Sequence, residues 1–170
     1  MTALTAFLPV KGEAVALREV LADDPGRWLP GSRHLGDDRW MTVVHGAGVT
    51  RAVVARVGQA WRSGGTLWRT LSWEPLVDEH EPERVARYLP TMDGELGLYA
   101  AAGRSSLVFD ARYRPPGGPV GATLDTLALH RIARGTADRF LADVAACLCE
   151  AVAVDTEWAA SRATSPPDQG

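Results

Sequence analysis

Two basic side chains stand at positions where they could act on a bound molecule, His130 and Arg69. His130 falls inside the apolar stripe of a predicted C-terminal helix, near Phe140 and Leu141. An imidazole aimed at an apolar space can act as a general acid or base, or can hydrogen-bond a ligand. The alternative is a structural histidine that bonds a sheet residue or a backbone carbonyl. Thr126 shares the stripe one turn earlier and would join a polar patch there.

Arg69 belongs to a predicted strand, Thr66 to Glu74, whose side chains alternate between two faces. One face carries Leu67, Arg69, Leu71 and Trp73, and the other carries Trp68, Thr70, Ser72 and Glu74. If the face with Trp73 is inward, Arg69 points into the interior, where it would hold a carboxylate, phenolate or enolate. If the opposite face is inward, Trp68 lines the site and Arg69 is solvated.

Aromatic residues on the neighbouring strands are candidate ligand contacts. Phe109 and Tyr113 lie on the apolar face of a predicted strand, Ser105 to Tyr113, whereas the direction of Tyr99 is ambiguous. A tyrosine facing the interior offers a ligand both an apolar ring and a hydroxyl. Each of these residues has the alternative of plain core packing. His45 ends another predicted strand and could reach the rim of the interior.

Length and composition exclude several classes of protein. The chain has 170 residues, is 46% hydrophobic and 23% charged, and carries a net charge of −3. These values are typical of one globular domain and unfavourable for general nucleic-acid binding. No apolar run is long enough for a membrane span, and no signal-peptide pattern opens the chain. Its two cysteines, Cys147 and Cys149, are expected to be reduced thiols, so we expect a cytoplasmic protein.

No cofactor or metal signature is present. The four histidines are scattered, and the sequence contains no His-Glu-x-x-His, Cys-x-x-Cys or P-loop pattern. We therefore expect neither a metal nor a cofactor. The oligomeric state stays open.

The order of elements predicts an α+β domain. A short extended segment, Ala3 to Pro9, precedes a helix at Gly12 to Leu21 and a short turn of structure at 27–31. Five predicted strands follow, separated by Gly-rich hairpin linkers. They are Arg39 to His45, Thr50 to Trp61, Thr66 to Glu74, Glu95 to Ala101 and Ser105 to Tyr113. An acidic loop, Pro75 to Pro90, interrupts the antiparallel meander.

One long amphipathic helix closes the domain. Its apolar positions, spaced with helical periodicity from Val120 to about Val152, predict a stripe that must be covered by a broad sheet face. We expect a single domain over residues 1–152 and a mobile tail over 153–170, whose end is rich in Ser, Pro and Gly.

Three stretches carry a resemblance to a known superfamily. They are the segment from Phe7-Leu8-Pro9-Val10 to Arg27-Trp28-Leu29-Pro30, the segment Asp93-Gly94-Glu95-Leu96-Gly97-Leu98, and the segment from Tyr113-Arg114-Pro115-Pro116 to Phe140-Leu141. With the order of elements, they resemble the helix-grip fold of the START-like, or SRPBCC, superfamily over most of residues 4–150. The third stretch is similar to actinobacterial proteins of this type.

The resemblance implies a curved antiparallel sheet wrapped around the C-terminal helix, with a deep cavity between them. It implies a binding protein for a small hydrophobic or polycyclic metabolite, or alternatively a polyketide cyclase- or dehydratase-like enzyme using the same cavity. For the enzyme, His130 would move a proton and Arg69 would stabilise an enolate. The ligand contacts would be Trp68, Trp73, Tyr99, Phe109, Tyr113, Thr126 and His45. A weaker third hypothesis is an interaction module that docks through the acidic loop.

Overall fold

A seven-stranded antiparallel sheet and a long C-terminal helix dominate the computed structural model, which describes residues 2–46, 48–76, 89–114 and 126–164. The strands follow the order β1-β7-β6-β5-β4-β3-β2 across the sheet. Their bounds are β1 Thr2–Val10, β2 Arg33–Gly36, β3 Arg39–Gly46, β4 Val49–Ser63, β5 Thr66–Pro75, β6 Thr91–Ala101 and β7 Arg104–Arg114. The chain's first strand therefore pairs with its last, and a meander of six strands fills the rest of the sheet.

The five strands predicted from alternation are confirmed, each extended by one to four residues at its ends. The predicted helix-grip α+β fold is confirmed with them. Strand β2 was missed because it has only four residues, pairs along one edge with β3 and has no buried residue. A short, exposed edge strand has no alternation of apolar and polar residues by which to recognise it.

Two short helical elements connect β1 to β2. Helix α1, Ala14–Ala22, buries Leu17, Val20 and Leu21, which share one face at helical spacing. A 3-10 turn, Pro25–Arg27, follows at once, and the Asp24 carboxylate accepts a hydrogen bond from the backbone N–H of Gly26 at 2.9 Å. The helix predicted at Gly12 to Leu21 is confirmed, while the second short element, predicted at 27–31, is a 3-10 turn that begins two residues earlier.

The β4–β5 hairpin turns through two residues that both have positive φ. Gly64 has φ +56° and Gly65 has φ +80°. A two-residue hairpin turn of this hand matches the twist of the strands and favours glycine at both positions. Because the turn sets the register, Trp61 lies opposite Trp68 across the hairpin.

Helix α2, Thr126–Thr164, has 39 residues and spans about 58 Å at 1.5 Å per residue. Its buried face packs on the sheet and on α1, as the apolar stripe predicts. The fully buried residues of this face are Ala133, Thr136, Ala137, Phe140, Leu141, Val144 and Leu148. The predicted start at Val120 lies outside the described residues.

Helix α2 extends beyond its predicted end near Val152. The helix continues through Thr164, although residues 153–163 are exposed and Val152 is the last residue packed against the core. The Arg27 guanidinium contacts both carboxylate oxygens of Asp155 at 2.7 Å, which ties the exposed part to the 3-10 turn. The single domain and the mobile tail remain predictions.

Three further features bear on the sequence analysis. Among the described helices, none is long and apolar enough to cross a membrane. Cys147 and Cys149 are free, and burial raises the pKa of the Cys147 thiol. Most of the acidic loop, residues 77–88, lies outside the described residues.

Candidate functional site

The interior between the sheet and α2 contains a cluster of three aromatic rings. Trp73 of β5 stacks on Phe109 of β7 with ring centroids 5.5 Å apart, and Phe140 of α2 packs against both at 4.9 and 6.0 Å. The Trp73 indole N–H donates to the Pro90 carbonyl at 3.1 Å. The inward face of β5 is therefore the one with Trp73.

The aromatic cluster fills the interior at this level. Trp73 is 1% exposed, and Phe109 and Phe140 are fully buried. A side chain that lines an empty cavity keeps exposed surface toward it, so these three rings border no space large enough for water. Trp73 and Phe109 were predicted as ligand contacts, and the structure places them in close packing with one another.

A polar pair lies beside the aromatic cluster. Tyr113 of β7 is 1% exposed, and register places it across Met92 from Trp73. Its hydroxyl lies 3.4 Å from Nδ1 of His130 on the second turn of α2, with ring centroids 6.0 Å apart. This distance is long for a hydrogen bond that involves a hydroxyl. The structure therefore brings together two of the predicted site residues, with a weak contact between them.

The first turns of α2 around His130 keep apolar surface uncovered. Leu127 is 65% exposed, and Leu129 and Ile132 are half-buried. Thr126 begins the helix, and nothing further is described of its side chain. Apolar side chains beside a buried hydroxyl and an imidazole are the mixture that small-molecule sites use for affinity and orientation.

Arg69 is buried, but it does not lie near His130. Its Nε donates to the Gly58 carbonyl at 2.9 Å, and its Nη1 donates to the carbonyls of Leu21 at 3.1 Å and Asp23 at 2.6 Å. Arg69 precedes Trp73 by four residues, which is about 13 Å along a strand. The guanidinium therefore lies toward the other end of the interior.

The bonds of Arg69 join three elements. Gly58 lies in the irregular part of β4 between Val57 and Ala60, while Leu21 and Asp23 belong to the end of α1. The guanidinium also lies 5.7 Å from the ring centroid of Trp28. Burial lowers the pKa of Arg69, against the attraction of the nearby aspartates. Through these contacts the Arg69 side chain connects the end of α1 to the sheet.

Trp68 and Tyr99 lie on the outer face of the sheet. Each is one residue out of phase with its inward neighbours, and Tyr99 is 45% exposed. The Trp68 ring lies over Gly97, where an added Cβ would be 2.6 Å from the ring. Neither side chain lines the space under α2, which corrects their predicted place at the ligand.

His45 lies at the edge of the sheet beside α2. Its Nδ1 is 2.7 Å from the Thr50 hydroxyl, and its Nε2 is 3.6 Å from a carboxylate oxygen of Asp143. At this edge, where the rim was predicted, His45 faces the part of α2 around Asp143 and not the part that carries His130. Sequence reasoning missed Asp143, because no local pattern links it to a histidine almost a hundred residues earlier.

Solved structures of other proteins share this architecture. Zhui aromatase/cyclase from Streptomyces sp. R1128 has a TM-score of 0.52 and 20% identity, over 88% of this chain and 93% of its own. TTHA0849 from Thermus thermophilus has a TM-score of 0.58 and 11% identity, over 88% and 99% of the two chains. Ara h 8.0201 has a TM-score of 0.52 and 12% identity, over 88% and 98%. The chain has the START-like helix-grip fold.

No protein-family model and no curated protein sequence matches the chain. The helix-grip fold is thus established by shape, at identities of 11–20% among these three neighbours. A fold shared at this level hosts many functions, so the chemistry must be argued from the side chains. Within the described part of the helix-grip domain, no three His, Cys, Asp or Glu side chains converge as metal ligands.

Proposed function

We propose that this protein binds a small hydrophobic or polycyclic metabolite between the sheet and the first turns of α2. The observation that carries the proposal is the Tyr113 hydroxyl. It is buried, and its one partner among the described residues is His130 at 3.4 Å. A hydroxyl held this loosely gains from a ligand oxygen that completes its hydrogen bonding.

The surroundings of the pair supply affinity. The half-buried Leu129 and Ile132 offer apolar surface that a ligand would cover. Each square ångström of apolar surface removed from water contributes about 25 cal/mol. Tyr113 and His130 would orient the ligand. Because Tyr113 is only 1% exposed, the first turns of α2 would have to move away from the sheet to admit it.

Binding of a fluorescent polycyclic probe tests the proposal. We expect 8-anilinonaphthalene-1-sulfonate to bind with one-to-one stoichiometry, and Tyr113→Phe or His130→Ala to weaken its binding at least fivefold. Tyr99→Phe is the matched control, because it removes the same hydroxyl from the outer face. Binding that does not saturate, or equal losses in Tyr99→Phe and Tyr113→Phe, would contradict the proposal.

A cyclase-type reaction is a second candidate, favoured by the adjacency of a phenol and an imidazole. His130 would take a proton from an acidic methylene carbon, and Tyr113 would donate a hydrogen bond to the enolate oxygen. The Streptomyces aromatase/cyclase has the same fold. Arg69 has no part in this step, because it bonds three backbone carbonyls and lies about 13 Å along β5 from Trp73.

Native mass spectrometry of the purified protein separates the two candidates. A stoichiometric small hydrophobic passenger supports carriage. An empty protein that converts a linear poly-β-ketone thioester to an aromatic product, with loss of conversion in His130→Ala, supports catalysis. A cytoplasmic location and an actinobacterial source remain predictions under either candidate.

A further inference from the structure

A surface pocket lies between the β3–β4 hairpin and the flank of α2 that faces away from the core. Its volume is about 430 Å³. Small-molecule sites in proteins have volumes of roughly 300–1,000 Å³. The lining residues are His45, Gly46, Gly48, Val49, Thr50, Gly135 and Arg139. None of them belongs to the Tyr113–His130 pair, so this hairpin pocket is separate from the site proposed above.

Gly135 is an unfavourable residue for its position in the interior of α2. Glycine is the poorest helix former after proline, since it loses the most backbone freedom. Close packing does not require it, because an added Cβ would meet no atom within 4 Å. Gly135 does line the hairpin pocket, so any side chain there would occupy pocket volume. Glycine at this position therefore leaves the pocket open, although close packing does not require it.

The polar wall of the pocket is held by Asp143. Its Oδ1 lies 3.3 Å from Nε of Arg139, and its Oδ2 lies 3.6 Å from Nε2 of His45. His45 in turn contacts the Thr50 hydroxyl at 2.7 Å. One half-buried carboxylate therefore orients a guanidinium from α2 and an imidazole–hydroxyl pair from the hairpin toward the same space.

One carboxylate oxygen of this arrangement lacks a hydrogen bond among the described residues. Oδ2 of Asp143 is buried and has no hydrogen bond in the described structure. An unsatisfied buried carboxylate oxygen is costly.

We propose that the hairpin pocket binds a small carboxylic acid with a flat apolar body. The carboxylate would accept hydrogen bonds from Arg139 and Thr50, because a guanidinium matches the geometry of a carboxylate. The body would lie over Gly135 and Val49. A dianionic phosphate fits less well, since Asp143 offsets the single arginine charge.

Nuclear magnetic resonance titration of the 15N-labelled full chain tests the proposal with three probes at matched ionic strength. We expect sodium benzoate to shift the amides of Gly48, Thr50 and Gly135 with saturation. Acetate, which lacks the apolar body, should bind at least fivefold more weakly. Inorganic phosphate should produce no saturating shift at these amides over the same concentrations. Benzoate shifts that do not saturate, or equal binding of phosphate, would overturn the proposal.

Variants separate the pocket from general effects of charge. Gly135→Leu should weaken benzoate binding at least tenfold while the melting temperature stays the same or rises, because leucine favours the helix. Arg139→Gln should weaken it at least fivefold. Arg162→Gln makes the same charge change near the far end of α2 and should have no effect. Unchanged binding in Gly135→Leu, or equal losses in the two arginine variants, would overturn the proposal.

Discussion

Arg69 and His130 lie toward opposite ends of the same interior, and they differ in how their hydrogen bonds are satisfied. Arg69 donates three hydrogen bonds to backbone carbonyls from two separate elements, α1 and β4. Among the described residues, the hydrogen-bond partner of His130 is the Tyr113 hydroxyl, at 3.4 Å. Both residues face inward, and the sequence alone presents them as equivalent candidates for chemistry.

The difference shows how a buried polar group reveals its role. Backbone carbonyls near the end of a helix and at an irregular strand need donors, and the guanidinium of Arg69 meets that need. Such a group is committed to the fold. Among the described residues, the His130–Tyr113 pair bonds no backbone group, so under the proposed function its remaining hydrogen-bonding capacity would serve a ligand. Measurements of stability on variants at the two ends test this contrast.

The largest expected effect is at Arg69. Arg69→Met should destabilise the fold by about 3 kcal/mol, because it leaves three carbonyls without a donor. For a chain of this length the melting temperature should fall by about 6–12 °C. Urea denaturation measures the loss, with Arg112→Met on the exposed outer face as the control. Similar losses of unfolding free energy in the two variants would contradict the structural role assigned to Arg69.

A smaller effect is expected in the aromatic cluster between the two ends. Trp73→Phe keeps an aromatic ring but loses the hydrogen bond to Pro90 and leaves a small cavity. The expected destabilisation is about 2 kcal/mol. Trp61→Phe on the outer face, where Trp61 is 36% exposed, should cost much less. Chemical denaturation of the two variants compares inner and outer faces directly.

Tyr113→Phe should change stability by less than about 1 kcal/mol, since the contact that it removes is long. The same substitution is expected to weaken probe binding, so stability and binding should separate at this end of the interior. A loss of stability as large as that of Arg69→Met would instead make Tyr113 a structural residue and would contradict the contrast.

The smallest effect concerns pH at the Arg69 end. The hydrogen bond from Arg27 and then the backbone N–H of Asp24 lower the pKa of Asp23. A carboxyl with a lowered pKa stabilises the fold above its unfolded value, near pH 4, and loses this contribution as the pH falls through the folded value. Asp23→Asn should therefore reduce the loss of stability between pH 5 and pH 2, by a small amount because the group is exposed. Identical pH dependence in wild type and variant would contradict this assignment.

Local patterns in the sequence predicted the order of all elements except β2, and most strand bounds to within one residue. A strand or helix that buries one face has apolar residues spaced with a period of two or with helical spacing. These patterns can be recognised without knowing which element covers that face. The same patterns placed His130 on the inward face of the helix and limited Arg69 to two orientations. Strand β2 and the continuation of α2 past Val152 were not predicted. Both are exposed, so their sequences show no periodic apolar positions.

The orientation and partners of the inward residues depend on contacts between distant parts of the chain. Alternation could not say whether Trp68 or Trp73 is inward, because both faces of β5 carry a tryptophan and the choice depends on which face α2 covers. It could not separate Arg69 from His130, since the carbonyls that bind Arg69 come from residues 11 to 48 positions away. The meeting of His45 with Asp143 likewise joins two elements that local periodicity describes independently. These contacts depend on how residues far apart in the sequence pack together, and local periodicity carries no information about that packing.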